Sequence, residues 1–152
     1  MFWEIFTNKF LVIPVCAWAL AQILKMLVAL FQGKGFDLRY LVSSGGMPSS
    51  HSSIVTALAT TIGILRGFGS VEFGISFILA SIVLYDSAGV RQAVGEQSAV
   101  LNRIVHEIRL RQPFTKLEAD LRELIGHTPF QVIIGALLGI AFAWLWLTLE
   151  SL

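Results

Sequence analysis

The chain has 152 residues, of which 55% are hydrophobic and 14% charged, and its mean hydropathy is +0.75. A soluble domain could not bury that much apolar surface, so the composition excludes an ordinary soluble protein and indicates an integral membrane protein. The net charge of +1, without a basic tail or interleaved aromatic and basic residues, gives no support to nucleic-acid binding.

The apolar segments predict about four membrane-spanning helices, because each span needs ~20 mostly apolar residues. In chain order they are Phe10–Phe31, Ser49–Arg66, Val71–Ala88 and Thr128–Leu149. The N-terminal segment contains Glu4, and the apolar run behind it is too long for a signal peptide, so we expect the segment to be retained. The prediction is an all-α, polytopic membrane protein that forms one domain over residues 1–152.

The segment between the third and fourth spans, residues 92–126, carries most of the charge. Apolar residues recur there at helical spacing from Val100 to Ile108, and the sequence from Thr115 to Glu118 is a capping box. We therefore expect two amphipathic helices that lie along the membrane surface, with a solvated helical hairpin as the alternative.

The distribution of cations predicts the orientation. With four spans, the connectors Gly33–Met47 and Arg91–Gly126 share one side and hold eight lysines and arginines, whereas Lys9 and Arg66 are the two on the other side. Because cytoplasmic loops carry the excess of Lys and Arg, we expect the first side to face the cytoplasm. The predicted location is a bacterial inner membrane or its equivalent.

The stretch GGMPSSHSS opens the second predicted span. Pro48 fixes the entry to the helix, Ser49 or Ser50 is a good N-cap, and the free amides and dipole of the following helix form a ready anion site. The alternative is a capped helix start that follows a glycine turn and binds nothing.

Four polar residues fall at the ends of spans on one predicted side, namely Lys25, His51, Arg91 and His127. We expect Lys25, about six residues from the end of its helix, to snorkel toward that face. Two histidines, a lysine and an arginine at a helix N-terminus describe a phosphate site. The cations would neutralise the oxyanions, one neutral histidine could attack phosphorus, and the other could protonate the departing oxygen.

The residue types also bear on metals and cofactors. No cluster of carboxylates accompanies these residues, so a magnesium-dependent mechanism has little support, and we predict neither a metal nor a cofactor. A zinc site built from His51, His106, His127 and Asp86 is the alternative, although the spacing is not that of a known ligand pair.

The blocks GMPSSHS, YDSAGVRQAVGEQ and GHTPFQV together resemble the divergent bacterial and plant branch of the type 2 phosphatidic acid phosphatase (PAP2) superfamily, which also includes vanadium haloperoxidases. Members carry a lysine-arginine motif, then Pro-Ser-Gly-His at a helix start, then Ser-Arg followed by a histidine and an aspartate. In this chain, Pro48 to His51 resembles the second motif and His127 takes the place of the last histidine.

The resemblance implies a helical membrane phosphatase fold and a role for each site residue. His127 would be the nucleophile that forms a phosphohistidine, and His51 the general acid. Lys25 and Arg91 would hold the phosphoryl oxygens together with the backbone amides near Ser49 and Ser50.

The chain departs from the family pattern at four places. The arginine of the first motif has no clear counterpart after Lys25, and Arg39 is only a loose candidate. Ser50 replaces the glycine, and Arg91 and His127 lie 36 positions apart instead of six. Gln131 stands where the last motif has its aspartate. A glutamine oxygen can still accept a hydrogen bond from the imidazole, but it cannot stabilise an imidazolium as a carboxylate does. Asp86 is a second candidate for orienting His127, or else a cap or polar partner for Arg91.

These observations favour a metal-independent phosphatase that acts on a lipid phosphate or diphosphate through a phosphohistidine intermediate. The first alternative is a membrane protein that binds or transports a phosphate lipid and is catalytically weak or inactive. The second is a structural scaffold that uses the surface of residues 91–126 to bind a partner. The expected partners are the membrane and a lipid phosphate.

Two further features predict packing and anchoring. Gly135 and Gly139 in GALLG form a small-residue face that favours close helix packing, within the protomer or in a possible homodimer, with packing inside the protomer preferred. Trp3, Trp144 and Trp146 are expected to anchor the chain at the opposite membrane interface.

Overall fold

The computed structural model describes residues 2–33, 46–89, 97, 101 and 128–152. Within these residues the chain forms five helices: α1 (Phe2–Thr7), α2 (Lys9–Phe31), α3 (Ser50–Arg66), α4 (Val71–Ala88) and α5 (Pro129–Glu150). The architecture is all-helical, as predicted, and the four long helices begin and end within about one residue of the predicted spans. Apart from Gln97 and Leu101, the predicted amphipathic segment lies outside the described residues, as do Arg91 and His127.

Each long helix begins where a short polar side chain caps it. Asn8, Ser49, Ser70 and Thr128 each accept a hydrogen bond from a backbone N–H in the first turn of α2, α3, α4 and α5, respectively. Gly67, whose φ is 93°, ends α3 in a conformation that favours glycine and starts the tight turn into α4.

Three of these helices, α2, α4 and α5, are long and apolar enough to cross a membrane. The helix α3 has 17 residues, and its sequence SHSSIVTALATTIGILR is much more polar. At 1.5 Å per residue it is about 26 Å long, slightly shorter than a typical hydrocarbon core of about 30 Å. The count of four predicted spans is therefore approximate, because only α3 lacks the apolar composition of a span.

The polar helix α3 lies at the centre of the bundle. It packs against α2, α4 and α5, while α2 also contacts α5. Two hydroxyls of α3 lie against backbone carbonyls of its neighbours. Ser53 Oγ donates to Ala17 O of α2 at 3.2 Å. Thr56 Oγ1 lies 3.0 Å from Ala136 O of α5 and shares its proton with Ser52 O of its own helix, at 2.8 Å. These bonds satisfy polar groups that would be costly in hydrocarbon.

The bundle has two distinct ends. The site end is formed by the starts of α3 and α5 and by the last turns of α2 and α4, and the far end is formed by the opposite termini of the same helices. Two ion pairs lie at the far end: Lys9 with Glu150, and Arg66 with Glu72, each at 3.0 Å between nitrogen and oxygen. The predicted chemistry-bearing residues among those described all belong to the site end.

Candidate functional site

The chain enters α3 through a glycine that fits closely against Lys25. Gly46 has φ of 95°, a backbone conformation that side-chain-bearing residues rarely adopt. A Cβ built there would lie 3.0 Å from Cγ and 3.2 Å from Cδ of Lys25. The glycine therefore permits both the turn and the contact with the lysine stem.

Lys25 is only 2% exposed, although it carries an ammonium group. The sequence predicted that this side chain would snorkel to the membrane face. Instead its alkyl stem lies against Gly46, so the loop that leads to Ser49 covers it. The structure therefore places the Lys25 stem beside the loop that enters α3, and the residue is buried there.

Ser49 is the N-cap of α3 and is fully buried. Its Oγ accepts hydrogen bonds from Ser52 N at 3.3 Å and from Ser52 Oγ at 2.9 Å. Its own N–H donates to Gln131 O of α5 at 3.2 Å. The sequence predicted that the Ser49 amide would bind an anion. In the structure this N–H instead bonds to the start of α5 and connects the two helix starts.

Ser50, the first residue of α3, is 2% exposed. As in any helix, the N–H of this first position has no carbonyl four residues earlier within the helix. The Ser50 amide, together with the positive end of the α3 dipole, is thus the part of the predicted anion site that the cap leaves available.

The start of α5 contains a capping box that sequence analysis missed. Thr128 Oγ1 accepts from Gln131 N at 3.4 Å, and Gln131 Oε1 accepts from Thr128 N at 3.1 Å. The signature Thr-Pro-Phe-Gln, with proline at the first helical position, was present in the sequence. Gln131 therefore has a structural role in fixing the helix that begins directly after His127.

The glycines of GALLG bring α5 against the first turns of α3. A Cβ at Gly135 would collide with the carbonyl oxygen of Ser49, and one at Gly139 with the carbonyl oxygen of Ser53 and with Oγ1 of Thr56. This face is used inside the protomer, as predicted. Because backbone meets backbone, the two helix starts are held at a fixed separation.

The remaining described candidates lie at the same end. His51 is the second residue of α3 and is exposed, whereas its neighbours Ser50 and Ser52 are buried. Asp86 is partly buried in the last turn of α4. Ser49 bonds directly to Gln131, Ser50 and the exposed His51 follow Ser49 in the chain, and Lys25 contacts Gly46, three positions before Ser49.

No three metal-ligating side chains come together in the part of the chain that the structure describes. Of the four residues in the zinc alternative, only His51 and Asp86 belong to that part, and they lie on different helices.

Comparison with known proteins identifies the family. The sequence profile of the divergent PAP2 family matches residues 6–142, nearly the whole chain. An uncharacterized membrane protein, YuiD, of Bacillus subtilis (strain 168) is 36% identical over 146 residues, which cover 90% of this chain and 92% of the relative. No solved structure matches. The match covers both helix starts of the site and the buried lysine, and the chain therefore belongs to the divergent PAP2 family.

Proposed function

We propose that the protein is a metal-independent phosphatase that hydrolyses a lipid phosphate or diphosphate through a phosphohistidine intermediate. The observation that carries the proposal is the hydrogen bond from Ser49 N to Gln131 O. It fastens the helix start that carries His51 to the helix start that directly follows His127. His51 is the second residue of α3, and His127 comes one position before the N-cap of α5 in the sequence, so the proposal brings together two histidines 76 positions apart.

In the first step a nitrogen of neutral His127 attacks phosphorus. A P–N bond forms, the P–O bond to the lipid breaks, and the oxygen that leaves takes a proton from His51. In the second step water loses a proton to His51 and attacks phosphorus, the P–N bond breaks, and inorganic phosphate leaves. Both steps balance without a metal ion or a redox partner.

Charge neutralisation would come from residues at the same junction. The buried Lys25 supplies a fixed positive charge beside the Gly46 loop, and the Ser50 amide adds a donor at the positive end of the α3 dipole. Arg91 completes the set in this proposal. Preorganised donors of this kind stabilise the charge that develops on phosphoryl oxygens in the transition state.

The place of the junction supports a lipid substrate. It lies at the ends of helices that are apolar enough to cross a membrane, which is where lipid headgroups are found. The excess of cations in the connectors on that side supports a site that faces the cytoplasm. Labelling of Ser44→Cys in a Cys16→Ser background checks the orientation: a reagent that cannot cross the membrane should react from the cytoplasmic side, and reaction only from outside would refute it.

The activity is tested by phosphate release from a panel of lipid phosphates and diphosphates, with purified protein in detergent and excess chelator. Wild type should release phosphate and His127→Ala should not. His106→Ala is the matched control, because it removes a histidine that the proposal does not use, and its activity should equal that of wild type. Release that persists in His127→Ala would refute the histidine mechanism.

The second candidate function is binding or transport of a phosphate lipid without turnover. The observation that favours it is Gln131, whose side-chain oxygen accepts from Thr128 N, at the position where related enzymes have a carboxylate. In that case wild type and His127→Asn would both bind vanadate or the lipid phosphate, and neither would release phosphate.

A further inference from the structure

A cleft of about 430 Å³ opens at the far end, away from the candidate phosphate site. It lies where α2 begins and where α3 and α5 end, which is a boundary of the predicted membrane layer. Its size falls within the usual range for ligand sites, roughly 300–1,000 Å³. The residues that line it are Lys9, Ile64, Leu65, Trp144, Leu147, Thr148, Glu150 and Ser151.

The polar lining of the cleft contains one cation, Lys9, and several hydrogen-bond acceptors. Lys9 Nζ lies 3.0 Å from Glu150 Oε1, and each side chain is nearly half exposed. The hydroxyls of Thr148 and Ser151 donate to backbone carbonyls of α5, at 2.8 Å and 2.7 Å, so their remaining capacity is to accept. The C-terminal ends of α3 and α5 add partial negative charge.

The rest of the lining is apolar and belongs to the hydrocarbon boundary. Ile64 and Leu65 come from the last turn of α3, and Trp144 and Leu147 come from α5. Tryptophan is common at the membrane–water interface, where one side of a site is apolar and the other faces water. The occupant that matches such a cleft is an amphiphile whose headgroup carries both a cation and an anion.

We propose that this cleft binds the headgroup of a zwitterionic phospholipid that carries a primary ammonium. The ammonium donates to Glu150 and to the hydroxyl oxygens of Thr148 and Ser151, and the phosphate pairs with Lys9. A primary ammonium fits because the acceptors need N–H donors, which a quaternary ammonium lacks. An anionic headgroup has a phosphate but no ammonium, so the group that it placed against Glu150 would carry no positive charge to pair with this carboxylate.

The test is native mass spectrometry of the full chain in detergent, titrated with dioleoyl phosphatidylethanolamine, phosphatidylcholine or phosphatidylglycerol. The ethanolamine lipid should bind about threefold more tightly than the other two, as expected for one half-exposed charge interaction. Glu150→Gln should abolish this preference. Lys9→Gln should lower the affinity for all three lipids, because each contains a phosphate.

The matched control is Glu72→Gln, which breaks the other ion pair of the far end but does not line the cleft. It should leave the preference unchanged. Equal affinities of the three lipids for wild type would overturn the proposal, and this result needs no variant to fold. A preference that survives in Glu150→Gln would overturn it as well.

Discussion

The helices α3 and α4 are neighbours of similar length, yet they are built from opposite kinds of residue. In α3, eight of 17 residues are buried, and five of the eight are serine or threonine. In α4, three of 18 residues are buried, and large apolar side chains cover the outside. The central helix α3 is therefore the more polar of the two, and the peripheral helix α4 is the more apolar.

The difference follows from what each helix contacts. The α4 side chains Ile75, Ile78 and Ile82 are each more than 60% exposed, so within a bilayer they would meet lipid and must be apolar. The α3 hydroxyls meet backbone carbonyls of α2 and α5, and small side chains let those helices approach. Hydropathy thus identifies the lipid-facing helices, whereas the central helix α3, which carries part of the candidate site, is identified by its small polar residues.

The largest expected effect breaks the close packing of α3. Gly139→Ala places a methyl group against the carbonyl oxygen of Ser53, which is backbone and cannot move aside. We expect a loss of about 2–3 kcal/mol in unfolding free energy, as for overpacked cores. The matched control in α4 is Gly74→Ala, where a Cβ meets nothing within 4 Å.

Thermal unfolding in detergent measures both glycine variants. Gly74→Ala should be neutral or stabilising by up to about 1 kcal/mol, because alanine favours helix more than glycine does. Opposite signs for the two substitutions would sharpen the contrast between the helices. Equal effects would contradict the close approach of α5 to α3.

The second prediction removes the charge at the start of α3. Lys25→Met keeps the alkyl stem that packs on Gly46 and deletes only the ammonium. If Lys25 binds the phosphoryl group, kcat/KM should fall on the order of 10- to 100-fold, the usual worth of a hydrogen bond to a charged group. Arg66→Met, at the far end of α3, is the control and should retain full activity. An unchanged kcat/KM in Lys25→Met would remove this residue from the site.

The third prediction concerns a single interhelical hydrogen bond. Thr56→Val removes a hydroxyl whose proton is shared between Ala136 O of α5 and Ser52 O of α3, and it keeps the shape of the side chain. We expect a loss of about 0.6–1 kcal/mol in unfolding free energy, typical of hydrogen bonds between membrane helices. Ser81→Ala in α4 removes an exposed hydroxyl that bonds only within its own helix, to Phe77 O. It should change the melting temperature less, and a reversed order would argue against polar packing of α3.

The smallest effect is expected at the turn between the two helices. Arg66 and Glu72 form an ion pair whose side chains are more than half exposed. Because solvent screens such pairs, Arg66→Gln should lower the melting temperature less than Thr56→Val does. If Arg66→Gln lowered the melting temperature as much as Gly139→Ala does, the ion pair would contribute more to stability than its exposure indicates, and this prediction would be wrong.

Much of this fold could be predicted from the sequence. The long apolar runs predicted the ends of α2, α4 and α5 to within about one residue, because a backbone that crosses a lipid layer must satisfy its hydrogen bonds internally. Ser49 was one of two N-cap candidates for α3, and the structure shows that it is the cap. The spacing of Gly135 and Gly139 also predicted close packing within the protomer. Helix ends and small-residue faces depend on residues that are close together in the sequence, so the sequence is sufficient to predict them.

Other features depend on tertiary contacts that no local pattern encodes. The burial of Lys25 requires the Gly46 loop to fold over it, and the use of the Ser49 amide requires α5 to lie against α3. Gln131 is a different case, since its capping signature was visible in the sequence. The family resemblance predicted a catalytic role for Gln131 in place of an aspartate, whereas its hydrogen bonds in the structure are those of a helix cap.

The central claim is that His127 carries the phosphoryl group during turnover, and the most direct measurement is to trap that intermediate. Purified protein is mixed with a lipid phosphate that it hydrolyses, quenched within milliseconds under alkaline conditions that preserve phosphohistidine, and digested for mass spectrometry. The account predicts a phosphorylated peptide that contains His127, absent from His127→Ala and separable from the peptides of His51 and His106. Turnover with no phosphorylated histidine, or with the phosphoryl group on another residue, would contradict it.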